Sequence, residues 1–335
     1  MVRRLFYEIT ADRLTTGGGF TASFCTPAVE KKENRRMLQD ECKTENHIME
    51  KIAVIGLGML GCSLCASLEG TCIRLGWSRR PEVSKWARET GLIEEDCPSV
   101  EDALTKADLA VLCLPVPVIM EFFSRYAELM KKTLVTDIGS VKGCIEKAAV
   151  ENAVRFVGSH PMAGTEKSGP EALVRGIYAG ATVFIVPPQG VSETDILQVE
   201  SLWHKVGSKT RRLNAKEHDW LVANTSHVPH VVSCALALSV LDVPESDRDQ
   251  RFAGCASGFR DTVRVAASSP KMWKEILSHN QAAVLEAMDF YEQRCSELKK
   301  LIASGDFDGF EREFAKGKEL IELWRSTLVK TEKKP

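Results

Sequence analysis

Short apolar runs alternate with amphipathic stretches along the first half of the chain. Strands are predicted at residues 52–55, 72–77, 109–114, 134–138, 156–161 and 181–186. One helix is predicted from Met59 and another over residues 81–90. Alternation over about 140 residues is typical of a mostly parallel, doubly wound α/β sheet with right-handed crossovers. Ligands bind such sheets beyond the carboxyl ends of the strands, so we expect the functional site in those loops.

The pattern changes after Asn214, where strand runs end and helical periodicity continues to Leu328. Helices are predicted over residues 215–241, 272–300 and 307–329. The first is apolar on nearly every face although it contains Pro229, so we expect it to be buried against other helices, including those of a second subunit. The pattern therefore predicts a sheet domain over residues 49–213 and an all-helical substrate and dimerisation domain over residues 214–330.

Residues 1–48 show no sustained periodicity and do not resemble a domain. No apolar segment follows Arg3 and Arg4, which argues against a secretory signal, and the acidic residues from Glu30 onward argue against a transit peptide. We expect a disordered extension or a start of translation assigned too far upstream. Met49 stands immediately before the first strand and favours this interpretation.

Composition narrows the class of protein. The 335 residues carry a formal net charge of −2, which does not favour a nucleic-acid-binding or membrane-surface protein. The longest apolar run, residues 231–241, contains two serines and falls short of the roughly 18 residues of a membrane span. Eleven scattered cysteines, an odd number, indicate reduced thiols and a cytoplasmic location. Cys62 and Cys65 fall within a predicted helix, so we interpret them as core residues.

The first predicted strand leads into Gly56-Leu-Gly-Met-Leu-Gly61, which has the G-x-G-x-x-G spacing of a dinucleotide-binding turn. Gly56 permits the tight turn, Gly58 permits close approach of a pyrophosphate, and Gly61 permits the helix to pack on the strand. Unpaired N–H groups at the start of the helix would bind the phosphates. The residues expected to contact the cofactor are Gly56, Leu57, Gly58, Met59, Leu60 and Gly61, with Leu114 and Pro115 at the end of the third predicted strand.

The end of the second predicted strand indicates which nicotinamide cofactor binds. An NAD site has an acidic residue about 20 residues after the glycines, which binds the ribose 2′-hydroxyl. Here Ser78 takes that place, and Arg79 and Arg80 follow. A hydroxyl with two guanidinium groups suits a 2′-phosphate. Glu82 is compatible with NAD, and arginines at a helix start can also be merely solvated, but the pattern favours NADP.

Three polar clusters lie where such a fold gathers its site. They are residues 136–142, residues 158–169, and a pair in the helical domain, residues 226–230 and 258–264. His160 lies at the carboxyl end of a predicted strand, where a neutral imidazole can accept a proton from a substrate hydroxyl. A strand-end histidine can also be purely structural, so position alone leaves both interpretations open.

Two pairs of side chains in the helical domain each share one helix face. His227 and His230 are three residues apart; a zinc site would need a third ligand, and we find none at usable spacing, so no metal is predicted. Arg260 and Arg264 are four residues apart, and like charges so placed repel each other. Either acidic partners neutralise them or an anion such as a carboxylate lies between them.

Four segments, in this order after the glycine turn, resemble the prephenate/arogenate dehydrogenase family of tyrosine biosynthesis. They are Asp137-Ile-Gly-Ser-Val-Lys142, Gly158-Ser-His-Pro-Met-Ala-Gly-Thr-Glu-Lys-Ser-Gly169, Ser226-His-Val-Pro-His230 and Gly258-Phe-Arg-Asp-Thr-Val-Arg264. The resemblance covers residues 49–328. It implies a Rossmann domain followed by an all-helical dimerisation domain, and oxidative decarboxylation of a cyclohexadienol with NAD or NADP.

The resemblance also implies roles for the matching residues. In the family's reaction a hydride leaves C4 of prephenate while CO2 leaves C1. His160 would accept the proton of the C4 hydroxyl, which Ser140 would orient. Arg264 would hold the ring carboxylate and His230 the side-chain carboxylate, and the presence of His230 favours prephenate over arogenate. The other residues expected at the substrate site are Ser226, His227, Arg260, Thr165, Glu166 and Trp273.

Two other classes of protein share the glycine turn. A dehydrogenase of β-hydroxy acids would carry a catalytic lysine in its helical domain, where the motifs of this chain carry histidine and arginine. A non-catalytic nucleotide sensor would have no reason to keep His160 and Arg264 together.

We expect Ser78→Asp to move the cofactor preference towards NAD. The new carboxylate would repel a 2′-phosphate and accept a hydrogen bond from a ribose hydroxyl, so the ratio of kcat/KM for NADP to that for NAD should fall at least about tenfold. Steady-state kinetics with both cofactors measure this ratio. An unchanged ratio would show that residues 78–80 do not contact the 2′ position.

Overall fold

The computed structural model describes residues 49–165 and 167–332, so the extension predicted over residues 1–48 lies outside the described residues. Eight strands occur within those ranges. They are β1 (Lys51–Ile55), β2 (Ile73–Trp77), β3 (Glu95–Asp96), β4 (Leu109–Leu112), β5 (Leu134–Asp137), β6 (Gly158–Pro161), β7 (Thr182–Val186) and β8 (Lys209–Arg212).

Helices connect most of the strands and make up most of the described chain after β8. In the first half they are α1 (Met59–Ser67), α2 (Pro81–Glu89), α3 (Val100–Lys106), α4 (Val116–Arg125), α5 (Ala127–Met130), α6 (Gly143–Glu151) and α7 (Glu193–Lys205). After β8 they are α8 (Ala215–Val222), α9 (Val228–Leu241), α10 (Glu245–Ala253), α11 (Ser257–Val263), α12 (Pro270–His279), α13 (Gln281–Ser304) and α14 (Phe307–Glu332). A π turn, Ala223–His227, joins α8 to α9.

The first five strands form one parallel sheet in the order β3-β2-β1-β4-β5. Successive residues of β1 face opposite layers: Ile52 and Val54 pack in the core that contains Trp203 of α7, whereas Ala53 and Ile55 pack in the core on the other side. Because helices cover both faces, the strand is apolar at every buried position. The predicted doubly wound α/β fold, followed by a helical domain, is confirmed.

The last three strands form a separate sheet, in which β6 is antiparallel to β7 and β7 is parallel to β8. The sequence pattern predicted β6 and β7 within one mostly parallel sheet and missed β8. The sheets separate where Asp137 and Ser159 bond through their side chains: Asp137 Oδ1 accepts the Ser159 N–H at 3.1 Å, and the Asp137 carbonyl accepts from Ser159 Oγ at 2.5 Å. Just upstream, Val135 and Phe156 form an isolated parallel bridge, so the two sheets remain joined at that point.

The helical half differs from the prediction at two points. A single helix over residues 272–300 is wrong, because Asn280 divides it into α12 and α13. The buried Asn280 amide donates to the Asp219 carbonyl at 2.8 Å and lies 3.2 Å from His227 Nδ1, so the break supplies a side chain that holds α8 and the π turn. The expected burial of α9 is also not met within one chain, since Leu238 is 59% exposed.

Candidate active site

The turn between β1 and α1 has open space at one glycine and none at the other two. A Cβ on Gly56, whose φ is +106°, would lie 2.3 Å from the Cys113 carbonyl oxygen. A Cβ on Gly61 would lie 2.0 Å from the Gly56 carbonyl oxygen. Both conflicts involve backbone, so the turn itself requires these two glycines. A Cβ on Gly58 would have no atom within 4 Å, so Gly58 borders open space.

Gly58 is also the N-cap of α1 and has no side chain to bond the free N–H groups of the first helical turn. These donors and the positive end of the helix dipole are open to a phosphate. The turn therefore fits a dinucleotide pyrophosphate. The other residues predicted here differ in exposure: Leu57 and Met59 are buried, Leu60 and Leu114 are half-buried, and Pro115 is exposed.

The residues predicted to contact the 2′ position lie at the carboxyl end of β2. Ser78 is half-buried, and its Oγ accepts the backbone N–H of Arg80 at 3.3 Å. Arg79 and Arg80 are exposed, and neither guanidinium bonds to another residue in the part of the chain that the structure describes. Both side chains can therefore meet an anion.

His160 lies in β6 and is 9% exposed. Its Nδ1 lies 2.9 Å from Nε2 of His218, and Nδ1 of His218 lies 2.8 Å from Oδ1 of Asp219. The Asp219 carboxylate also accepts the backbone N–H groups of Lys142, at 2.7 Å, and Gly143, at 2.8 Å. Three consecutive side chains thus connect the predicted base to the start of α6.

Burial sets the charge of this histidine cluster. Desolvation, followed by the positive charges of neighbouring groups, lowers the pKa of His160 well below its ordinary value. Burial likewise lowers the pKa of His218, against an opposing effect of Asp219, and lowers the pKa of His227 to about 4. Near pH 7 all three rings are therefore neutral, and His160 can accept a proton.

A buried ion pair supports the loop that carries Ser140. Lys142 Nζ bonds the Asp137 carboxylate and donates to the Ser159 carbonyl at 2.9 Å. Asp137 Oδ2 accepts the Gly139 N–H at 2.8 Å. The loop between β5 and α6 is thereby held at both ends, and Ser140 is half-buried within it.

The π turn sets which helical side chains face the site. In a continuous α-helix, Asp219 and His227 would be about 80° apart around the axis. The extra residue of the π turn rotates all that follows by roughly 100°, which brings the two to within about 20° of one face. The Asn280 amide, which contacts both the Asp219 carbonyl and the His227 ring, indicates the same alignment.

His227 and His230 surround the indole of Trp273. The His230 ring centroid lies 4.0 Å from that of Trp273, and the His227 centroid lies 5.8 Å from it. His230 Nδ1 lies 2.8 Å from the carbonyl oxygen of Ser226, which leaves Nε2 for another partner. Trp273 Nε1 is buried and has no hydrogen-bond acceptor among the described residues.

The predicted anion-binding arginines follow on α11 and just beyond it. Arg260 and Arg264 are exposed, and neither forms an ion pair within residues 49–165 and 167–332. Arg264 is near enough to His230 to help lower the pKa of that ring, after burial itself. Thr165 is exposed, and its Oγ1 accepts the Lys167 N–H at 3.2 Å. Glu166 lies outside the described residues.

The fold brings three residues to this site for which the sequence predicted no role: His218, Asp219 and Asn280. The one local signal is the capping box of Asn214 and Glu217, which starts α8 and places His218 and Asp219 at the end of its first turn. His218 contacts a residue 58 positions away, and Asp219 contacts one 77 positions away. A periodic pattern in the sequence does not indicate contacts at such separations.

One group of described residues has ligand atoms close enough to share a metal ion: Glu95, Cys97 and Asp102. Lys106 bonds both carboxylates of this group, and its positive charge disfavours a cation there.

Comparison with known proteins identifies both halves of the chain. The model described as "prephenate dehydrogenase, nucleotide-binding domain" matches residues 69–212, and the model described as "prephenate dehydrogenase, dimerization domain" matches residues 214–316. The cyclohexadienyl dehydrogenase of Zymomonas mobilis is 31% identical over 267 residues, which cover 78% of this chain and 91% of that protein.

Two solved structures have the same fold. Prephenate dehydrogenase from A. aeolicus, solved with hydroxyphenyl propionate and NAD+, is 29% identical with a TM-score of 0.76, covering 83% of this chain and 99% of the other. The arogenate dehydrogenase of Synechocystis is 27% identical with a TM-score of 0.73, covering 82% and 99%.

We expect alanine to affect stability at one glycine of the turn and cofactor binding at another. Gly61→Ala should lower the free energy of unfolding by more than about 2 kcal/mol, because the new Cβ meets backbone. Gly58→Ala should change it by less than about 0.5 kcal/mol but weaken dinucleotide binding at least about tenfold, because the methyl group enters the pyrophosphate space. Denaturant unfolding and fluorescence titration with NAD and NADP measure both. Unchanged cofactor affinity in Gly58→Ala would contradict this assignment of the turn.

Proposed function

Because this chain belongs to the prephenate dehydrogenase family, we propose that it converts prephenate to 4-hydroxyphenylpyruvate and CO2. As a member of that family it is a nicotinamide-dependent dehydrogenase. The observation that carries the proposal is the buried, neutral His160 at the end of a strand in the nucleotide-binding half. Through His218 it contacts the helical segment that also carries His227 and His230.

The mechanism combines removal of a proton with loss of CO2. When bound, the nicotinamide ring supplies the acceptor for a hydride from C4 of the substrate. His160 accepts the C4 hydroxyl proton as the C4–H bond breaks, so that a carbonyl forms at C4. The bond from C1 to its carboxylate then breaks, and its electron pair makes the ring aromatic. The phenolate oxygen recovers the proton from His160, and Ser140 orients the hydroxyl throughout.

Arg264, assisted by Arg260, holds the ring carboxylate in this proposal. A guanidinium group binds a carboxylate through two parallel hydrogen bonds and keeps its proton while doing so. Support comes from the lack of any ion pair for either arginine in the described ranges, and from the influence of Arg264 on His230. Two unneutralised cations beside a histidine cluster suit a substrate with two carboxylates.

The protonation of His230 bears on the choice between prephenate and arogenate. Its Nδ1 is bonded to a carbonyl oxygen and therefore carries the proton, so Nε2 of the neutral ring is an acceptor. A side-chain carboxylate can bind at Nε2 once the ring takes up a second proton. The α-ammonium group of arogenate could instead donate to the neutral ring. Because a protonated His230 can pair with the side-chain carboxylate, we propose prephenate as the substrate, with arogenate, whose ammonium group could donate to the neutral ring, as the second candidate.

For the cofactor, we propose a preference for NADP over NAD. Support comes from the half-buried Ser78 and the exposed, unpaired Arg79 and Arg80 beyond β2. The A. aeolicus relative was solved with NAD+, so the proposed preference for NADP rests on the residues at the end of β2 in this chain.

We also propose a homodimer formed through the helical domain of residues 214–330, with a nucleotide-binding domain over residues 49–213 and a non-essential extension over residues 1–48. Large apolar side chains are exposed on α9, α13 and α14, including Leu238, Leu285 and Phe314. The segment Ala215–Leu241 has the length and composition of a membrane span. It also carries the buried His218 and His227 of the site, so a second subunit accounts for its apolar surface better than a bilayer does. We propose a cytoplasmic enzyme.

The proposed function is tested by measuring kcat/KM for prephenate and arogenate, each with NAD and NADP, between about pH 6 and pH 8. Prephenate with NADP should be turned over. Because binding its side-chain carboxylate protonates His230, whose pKa is lowered, kcat/KM for prephenate should rise at least about tenfold from pH 8 to pH 6. The value for arogenate should rise less, because its α-ammonium group can donate to the neutral ring. Equal pH profiles would remove His230 from the substrate side chain, and no turnover of either compound would refute the function.

Arg264→Ala should raise KM for prephenate at least about 30-fold, since losing a charged hydrogen-bonded pair costs on the order of 2–5 kcal/mol. Cofactor affinity and melting temperature should stay nearly unchanged, because Arg264 is exposed and unpaired within the described chain. Arg248→Ala, at an exposed arginine of α10, serves as the matched control. A lower melting temperature with an unchanged KM would indicate a structural role instead.

A further inference from the structure

The chain of three side chains from Asp219 to His160 determines which nitrogen of each ring carries a proton. Asp219 accepts hydrogen bonds from two backbone N–H groups, one on each carboxylate oxygen. An ionised carboxylate can only accept. The ring nitrogen of His218 that lies 2.8 Å from Oδ1, its Nδ1, must therefore be the donor.

The same argument determines the tautomer of His160. Burial lowers the pKa of His218, so the ring is neutral and Nε2, opposite its protonated Nδ1, has a lone pair. The 2.9 Å contact to His160 then requires an N–H on Nδ1 of His160. The remaining nitrogen, Nε2 of His160, is left with a lone pair and can accept a proton.

We propose that His218 and Asp219 are positioning residues for catalysis: they hold His160 in the tautomer whose Nε2 accepts the substrate proton, and Asp219 compensates the positive charge that results. The second part rests on the proposed function, which supplies the proton. The tautomer does not depend on which substrate binds.

The surroundings of His160 explain why a distant carboxylate is needed. His218 on α8, His227 in the π turn and Lys142 before α6 all disfavour a positive charge on His160, as does burial. Lys142 is paired with Asp137, and the ladder partner of His160 in β7 is the uncharged Phe184. Asp219 is the anion that the hydrogen-bonded chain connects to the ring, so it offsets part of this cost when His160 accepts a proton.

The tautomer is measured directly by 15N NMR of the histidine side chains, with His160→Asn identifying the His160 signals. In the wild type, His160 should show a protonated Nδ1 and an unprotonated Nε2 near neutral pH. In His218→Phe, which removes the acceptor, the two tautomers should mix. In His218→Gln, whose amide can accept from His160 and donate to Asp219, the wild-type tautomer should return. A protonated Nε2 in the wild type, or no change in His218→Phe, would overturn the proposal.

Kinetics test the catalytic consequence on the same proteins. His160→Asn removes the proposed base and should lower kcat by about 10²–10⁴-fold. The losses in the other variants are compared with this one. His218→Phe should lose at least about 100-fold in kcat with KM for substrate and cofactor within about threefold, and His218→Gln should recover at least about tenfold of that loss. His204→Phe, at an exposed histidine that contacts Thr210, is the control and should retain full activity. His218→Phe within threefold of wild-type kcat would overturn the proposal.

Asp219→Asn distinguishes positioning from a purely structural role. Loss of the negative charge makes the protonated ring less favourable, so the acid limb of the kcat/KM profile should move to lower pH by about one unit while kcat falls at least about tenfold. A lower melting temperature with an unmoved acid limb would show that Asp219 serves only the fold. If the wild type turns over neither prephenate nor arogenate, the proposed function fails, whereas the NMR tautomer still decides the role of His218.

Discussion

The carboxylate of Asp219 joins the two halves of this protein. Its oxygens accept the backbone N–H groups of Lys142 and Gly143, at the start of α6 beside the sheet, although the residue itself belongs to the first helix of the helical half. Its backbone carbonyl accepts from Asn280, which also contacts His227. One half-buried carboxylate thus connects the nucleotide-binding sheet, the proposed proton acceptor and the helical face that carries the proposed substrate residues. A shift of one half relative to the other would break the bonds of Asp219 to Lys142 and Gly143 and the contact between His160 and His218.

Few of the side chains around Asp219 carry an unpaired charge. The site contains one paired cation, Lys142 with Asp137, and four histidines whose pKa values are lowered mainly by burial. Isolated charges in such surroundings would cost several kcal/mol each. Neutral imidazoles avoid that cost and can still exchange protons near pH 7. Arg260 and Arg264, which form no ion pair among the described residues, are exposed to solvent. Before a substrate anion binds, they therefore incur no desolvation penalty.

The helical half is incomplete as a single chain. Leu238, on the strongly apolar α9, and Leu285 and Phe314, on α13 and α14, leave more than half of their surface in solvent. The same helical segment carries His218 and His227 on its buried side. In the proposed homodimer, packing of a second copy on the outer face would stiffen the helical segment that holds His218 and Asp219, and would thereby influence the geometry around His160.

Much of this protein can be predicted from sequence because the signals are local. Strand periodicity and the glycine turn at residues 56–61 each lie within a dozen residues, so backbone preference and spacing suffice to predict the sheet and the cofactor turn. The motifs around His160, His230 and Arg264 are equally local, and their resemblance to a known family supplied the candidate site residues. Tertiary structure alone decided the rest. The support of His160 by His218 and Asp219, the phase of the π turn and the break at Asn280 depend on contacts between residues 53 to 77 positions apart. A buried polar group must find a partner wherever the fold supplies one, and the sequence does not record which distant residue that will be.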